Sequence, residues 1–237
     1  MANLTGADVN RGDILLCKSF SLLPNLSHFV IRTGQGLFAA PDDGLATPLA
    51  GRTFTNSIHA EIALSTGETP VTIVESTGKG VTRGEHEEVE AYVFRLRVGY
   101  PNAKSLASAA AVVAEDLASW TSGKATGHYN YLRSAFSVLG DPRSNDTAKA
   151  RLRQISDRTY KDGFFCSMLV TVCYQIGADS LNLPRPPIEA DPMNLSPSGL
   201  EAYLRRFQDV WACIGILNRP EGGFLARWKK RLLNSEW

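Results

Sequence analysis

The chain has 237 residues, of which 43% are hydrophobic and 21% charged, a composition typical of one globular domain or one domain with additions. Its net charge of +1 gives no reason to expect a nucleic-acid or membrane-surface partner. No apolar run approaches the ~18 residues needed to span a bilayer. At the N-terminus no basic segment precedes an apolar one, so we expect no secretory signal peptide.

The first half of the chain carries the signals of short strands. Four apolar runs predict strands at 12–20, 57–65, 71–76 and 90–98. The Gly-, Pro- and Asp-rich stretch 21–55 predicts loops with one short helix near 26–33. The run 57–65 alternates cleanly, with apolar side chains on one face and His59 and Glu61 on the other. Tight breaks between the last three strands predict an antiparallel meander.

The second half of the chain is mainly helical in pattern. Its periodicity predicts helices at 103–120, 164–177 and 196–207 and a last strand at 210–217. Ser196 is the expected N-cap of the third helix, with Pro197 at the first helical position. The mixed stretch 126–137 and the proline-rich stretch 182–194 are expected to be irregular.

Cys166 opens the apolar helix and allows two interpretations. The four cysteines are too few for a disulfide scaffold and show no zinc-type spacing with the histidines, so we expect free thiols, no metal site and no cofactor. Cys166 is either a small core residue, the common role of cysteine, or a nucleophile. A first-turn position favours a thiolate and supplies backbone N–H groups for an oxyanion. Cys173, deeper in the run, is assigned to the core.

A thiolate nucleophile needs a base and a group that orients the base. His59 is the best-placed base, because the other face of its strand is wholly apolar. Glu75, at the end of the next strand, can bind the second ring nitrogen, and Glu61, on the face of His59, is the rival. Positions i and i+2 of a strand lie roughly 6–7 Å apart, which favours the neighbouring strand. A structural histidine and a solvated glutamate are the alternative interpretation.

These segments stand in a recognisable order along the chain. They are "GDILL", "SIHAEIAL", "IVES" followed by "GKGV", "HYNY", "FFCSMLV" and "LSPSGLEAY". In this order the chain resembles the permuted branch of the NlpC-type papain-like hydrolases, which includes YiiX-like proteins. In that branch the His-bearing strands precede the Cys-bearing helix, the reverse of papain. The resemblance covers residues 11–207 in patches.

The resemblance implies an α+β fold, circularly permuted papain-like, in which an antiparallel sheet packs against the Cys-bearing helix. It implies a single domain over 1–237, with its core at about 11–218. Two additions to that core are expected: a polar insertion within it at 138–160 and an amphipathic tail after it at 219–237. The tail is either a docked terminal helix or a membrane-surface or partner helix.

The resemblance also assigns roles to single residues. Cys166 matches the family's nucleophile, His59 its general base and Glu75 its third polar residue. Tyr129 matches an aromatic residue that precedes the Cys helix and borders the oxyanion site. Glu61 stands where family members often have a small residue, so the sequence leaves open whether Glu75 or Glu61 orients His59.

Three functions are compatible with this pattern. The first is a cysteine amidase or endopeptidase that cleaves peptidoglycan peptides with a Cys-His-Glu triad. The second is a lipid ester or thioester hydrolase or acyltransferase on the same fold, which the apolar pair Phe164–Phe165 and the tail would favour. The third is a non-catalytic binding module in which Cys166 is core.

A further resemblance concerns delivery and partners. The chain is similar to the TseH-type antibacterial effectors exported by type VI secretion. That similarity implies a cytoplasmic location in the producer and delivery to the periplasm of a target cell. It also implies an immunity protein and a carrier in the secretion apparatus as partners. No nucleic acid and no transmembrane segment are expected.

Overall fold

A computed structural model of the protein describes residues 1–18, 57–77, 80–86, 89–121, 164–192 and 195–218. These residues form a mixed α+β structure with one seven-stranded sheet and three α-helices. The strands are β1 (Asn3–Leu4), β2 (Ile14–Lys18), β3 (Ser57–Ala63), β4 (Thr72–Thr77), β5 (Gly80–Glu85), β6 (Ala91–Leu96) and β7 (Trp211–Leu217). The helices are α1 (Ala103–Thr121), α2 (Cys166–Ser180) and α3 (Pro197–Arg206).

Most of the predicted strands and helices are confirmed within a few residues at each end. The remaining expectations, at 26–33, Tyr129, 126–137, 138–160 and 219–237, lie outside the described residues. Within the described part of the chain, no helix combines the length and apolar character needed to cross a bilayer.

The strand order corrects two of our expectations. The order is β1-β7-β6-β2-β3-β4-β5, with β1 parallel to β7 and the other neighbours antiparallel. The prediction of a wholly antiparallel sheet is therefore wrong at the β1 edge. The predicted meander is confirmed for the antiparallel pair β3 and β4 and is wrong for β6, which pairs with β2, while the unpredicted strand β5 lies beside β4. The run Ile14–Cys17 is buried along its whole length, which suits the interior position that β2 takes in the sheet.

Apolar residues are buried in two layers. The helix-side cluster joins strand residues such as Leu16 and Ile62 to residues of α1 and α2. The second cluster includes Leu15, Ala63 and Val93. Alternation along β2 thus sends Leu15 and Leu16, both 0% exposed, into different layers.

Helix α2 is the central helix of the helix-side cluster. All its residues from Cys166 to Ala178 are buried, and the polar side chains among them donate to backbone carbonyl oxygens: Ser167, Thr171 and Gln175. At Gly177, a Cβ would lie 3.1 Å from the backbone nitrogen of Ala110, so the glycine lets α2 pack closely on α1. Cys173 is 0% exposed and belongs to the helix-side cluster, as its assignment to the core predicts, and Cys166 is equally buried.

Candidate active site

Cys166 is the first helical residue of α2. Phe165 before it is the N-cap, with an extended backbone (φ −101°, ψ 162°), and its carbonyl accepts the first helical hydrogen bond from Leu169 N at 3.0 Å. The side chain of Cys166 therefore stands in the first turn, where the positive end of the helix dipole stabilises a thiolate. The predicted position of Cys166 in the first helical turn is confirmed.

Two side-chain hydrogen bonds fix the start of α2. The Ser76 hydroxyl of β4 donates to the Phe164 carbonyl at 2.7 Å, and the Ser167 hydroxyl donates to the Leu195 carbonyl at 2.6 Å. All four residues are buried. The helix start is thereby tied to the sheet on one side and to the segment before α3 on the other, so Cys166 has little freedom to move.

His59 and Glu75 face each other from neighbouring strands. The described pairing of β3 with β4 runs from Glu61 opposite Glu75 to Ala63 opposite Ile73, and His59 lies two residues before Glu61 on β3. The imidazole Nε2 is 2.7 Å from Glu75 Oε2, a hydrogen-bond distance. The side chains of His59 and Glu75 are 20% and 27% exposed, so solvent reaches both.

Cys166 is the second group that acts on His59. Because Glu75 contacts Nε2, Nδ1 is the ring nitrogen left for a thiol. Burial disfavours the imidazolium, but the charge and hydrogen bond of Cys166 and the hydrogen bond of Glu75 outweigh it and hold the pKa of His59 well above its usual value. A protonated His59 beside Cys166 in turn favours the thiolate.

Glu61 is engaged away from His59. It accepts a hydrogen bond from the Cys17 thiol at 3.2 Å through Oε1, while Oε2 lies 2.7 Å from Nδ1 of His86. Its Oε1 is 3.9 Å from Nε2 of His59, longer than a hydrogen bond. Glu75 is therefore the carboxylate that contacts the base, and Glu61 belongs to a second network behind it.

This second network shifts the pKa values of its members. Burial opposes ionisation of Glu61, but the hydrogen bond and charge of His86 outweigh it and lower the pKa of Glu61. Burial likewise opposes charge on His86, but the hydrogen bond to Glu61 outweighs burial and raises the pKa of His86. Burial and the Glu61 charge raise the pKa of the Cys17 thiol well above its usual value. Cys17 is thus a protonated hydrogen-bond donor at neutral pH.

Ligand-type atoms come together twice among the described residues. In two groups, the side-chain atoms that could bind a metal lie within 4.8 Å of one another: Cys17–Glu61–His86 and His59–Glu61–Glu75. In each, a carboxylate oxygen and an imidazole nitrogen are 2.7 Å apart. Two such ligands on a tetrahedral zinc lie about 3.3 Å apart, since each bond is about 2.0 Å long. The spacing is that of direct hydrogen bonds.

The structure thus brings together Cys166, His59 and Glu75, which the sequence singled out, and adds Cys17 and His86, which it did not. Cys17 is directly opposite His59 in the pairing of β2 with β3, and His86 follows β5. Comparison of the chain with protein-family models, with curated proteins and with solved structures finds no match. We therefore infer a function from the geometry of these side chains.

Proposed function

We propose that the protein is a cysteine hydrolase in which Cys166 is the nucleophile, His59 the base and Glu75 the group that orients the base. One observation carries this proposal: a single imidazole lies 2.7 Å from a carboxylate through Nε2 and also interacts with the side chain of a first-turn helix cysteine. A nucleophile, a base and an orienting group in this relation are the signature of covalent acyl transfer.

The reaction follows from the positions of these atoms. His59 takes the Cys166 proton, and the thiolate forms a bond to the carbonyl carbon of an amide. The C–N bond breaks as His59 returns the proton to the leaving amine. Water, deprotonated by His59, then splits the thioester and releases the acid and the Cys166 thiol. Glu75 keeps the ring oriented and stabilises the imidazolium in both halves of the reaction.

The substrate class we propose is the peptide of bacterial peptidoglycan, as an amidase or endopeptidase would cleave it. Support comes from the resemblance in segment order to NlpC-type hydrolases, together with the thiol–imidazole–carboxylate geometry. We extend the proposal to an antibacterial effector delivered to a target-cell periplasm, with an immunity protein and a secretion carrier as partners. Periplasmic expression of the wild type, but not of Cys166→Ala, is then expected to lyse bacteria.

The lipid alternative loses one of its supports. Phe164 and Phe165, the apolar pair that favoured it, are 5% and 0% exposed and belong to the helix-side cluster. They secure the start of α2, so neither forms an apolar surface on which a lipid chain could lie. No described contact favours a lipid substrate over a peptide, and we keep the peptide as the proposal.

The test is digestion of purified peptidoglycan by wild type, Cys166→Ala and Cys173→Ala, with fragments identified by mass spectrometry. Cys173 is the matched control, because it is a buried cysteine of the same helix without a place in the triad. Wild type and Cys173→Ala are expected to release the same peptides, and Cys166→Ala none. Equal release by wild type and Cys166→Ala overturns the proposal.

A second arm separates the chemistry from the substrate. If wild type releases nothing but an acyl-phosphonate or iodoacetamide probe modifies Cys166 in a His59-dependent way, the hydrolase site stands and the peptide assignment is wrong. Phospholipid vesicles then replace peptidoglycan, and release of fatty acid is measured. If the probe modifies Cys166 only after unfolding, Cys166 is a core cysteine, and equal modification of folded wild type and His59→Ala likewise contradicts the proposed site.

A further inference from the structure

The buried pair Glu61–His86 lies directly behind the triad. Glu61 and His86 are 4% and 7% exposed, and Glu61 is the residue opposite Glu75 on the neighbouring strand. The two ring nitrogens of His86 meet two acceptors: Nδ1 is 2.7 Å from Glu61 Oε2, and Nε2 is 3.2 Å from the Val89 carbonyl oxygen. A carbonyl oxygen can only accept, so Nε2 of His86 carries a proton.

A second proton lies between His86 and Glu61. With Nε2 protonated, a neutral His86 would present the lone pair of Nδ1 to a carboxylate oxygen at hydrogen-bond distance, which is repulsive. A proton must therefore lie between Nδ1 and Oε2, on one atom or the other. In both cases the pair has no net charge.

We propose that His86 is a positioning residue of the active site: by sharing this proton with Glu61, it keeps Glu61 from competing with Glu75 for His59. This inference rests on the proposed function, since it assigns His86 a role in the same triad. Glu61 could compete with Glu75 because its Oε1 lies only 3.9 Å from Nε2 of His59, the atom that Glu75 binds. The Cys17 thiol donates to the same Oε1 and so also opposes a hydrogen bond from His59 to Glu61.

The titratable groups around the pair come from three strands. Cys17 lies on β2, His59 lies on β3, and Glu75 on β4 reaches the pair through His59. If His86 is lost, Glu61 becomes a carboxylate without a counter-charge, buried beside His59. Such a carboxylate within about 4–6 Å stabilises an imidazolium strongly. His59 is then held in its charged form and drawn from Glu75 toward Glu61.

The test measures the rate of Cys166 alkylation by iodoacetamide against pH, with site-specific mass spectrometry. It compares wild type, His86→Gln, Glu61→Gln/His86→Gln and the exposed-surface control Glu85→Gln. His86→Gln is expected to raise the pKa of His59 and so to shift the alkaline limb of the profile to higher pH by about one pH unit or more. The double variant removes the carboxylate with its counter-charge and is expected to restore the wild-type limb, and Glu85→Gln leaves it unchanged. A mere packing role for His86 predicts no such restoration.

The outcomes separate the two proposals. If wild-type Cys166 shows no His59-dependent reactivity, the hydrolase proposal is wrong and the role of His86 falls with it. If wild type is reactive but folded His86→Gln has the wild-type profile, the inference about His86 alone is overturned. Should His86→Gln fail to fold, ¹⁵N ring spectra of wild type decide. Both His86 nitrogens must show a proton, or share one with Glu61, at pH 7, and a bare Nδ1 contradicts the proposal.

Discussion

The two faces of the sheet differ in what they bury. On the face covered by α1 and α2, the strands contribute mainly apolar side chains, such as Leu16 and Ile62, and the hydroxyl of Ser76 binds the start of α2. On the other face, Leu15 and Ala63 share their layer with Cys17, and Glu61 and His86 are buried beside it. Successive side chains of β3 point alternately to the two faces of the sheet. The apolar face fixes where Cys166 stands, and the polar network of the other face sets the protonation of the groups that meet it.

The largest effect is expected from breaking the polar network at its contact with the base. Glu75→Gln replaces a carboxylate that stabilises the His59 imidazolium with a neutral amide, and we expect hydrolysis to slow on the order of 10³–10⁴-fold. Stability should change by less than about 1 kcal/mol, because the Glu75 side chain is 27% exposed. The rate is measured as kcat/KM for peptide release, and the free energy of unfolding is measured by urea denaturation. Glu85→Gln, on the exposed edge strand, is the matched control, and a loss below tenfold contradicts the triad.

Much of this site could be predicted because it depends on local patterns. Strict alternation in 57–65 placed His59 and Glu61 on one face, and the apolar run placed Cys166 at a helix start. The Glu75 contact followed from the expectation that consecutive strands pair. The capping of α3 by Ser196, which accepts from Gly199 N at 3.0 Å, was equally local.

What the sequence could not provide depends on pairing over long distances. Nothing in 12–20 or 90–98 shows that β6 pairs with β2, or that Cys17 lies opposite His59. β5 escaped prediction because "GVTRGE" has two glycines and three polar residues, which weakens the strand signal at a sheet edge. His86 became visible as a partner of Glu61 only once β5 was in place.

The next largest effect is expected on stability, from substitutions in the two apolar layers. Leu15 and Leu16 are adjacent, equally buried and of one residue type, but face different layers. Substitution by Ala is expected to cost about 2–5 kcal/mol at each, with the higher cost at Leu16, because the helices that cover it leave a cavity that cannot collapse. Urea denaturation of both variants measures the difference. A higher cost for Leu15→Ala would show that the second layer is the more rigid one.

A smaller effect is expected from pH, and it reports the Glu61–His86 pair. The raised pKa of His86 contributes stability that is present below its unfolded value of 6.5 and is lost as pH rises through the folded value. The lowered pKa of Glu61 contributes stability that is present above 4.5 and is lost as pH falls through its folded value. The stability of wild type relative to Glu61→Gln/His86→Gln should therefore be greatest between about pH 4.5 and pH 6.5. Chemical denaturation at a series of pH values checks this, and a flat difference contradicts it.

The smallest effect concerns a part of the helix-covered side that lies away from the triad. Ser196 caps α3 through its hydroxyl, so Ser196→Ala is expected to cost about 1 kcal/mol, whereas Ser196→Gly costs only a few tenths. Leu195, its neighbour, accepts the hydrogen bond that fixes Ser167 beside Cys166. If the cap only stabilises α3, both variants keep the wild-type rate of Cys166 alkylation. If Ser196→Ala slows alkylation and Ser196→Gly does not, the cap also holds Leu195 in place, and the apolar face then reaches the nucleophile through α3 as well as through α2.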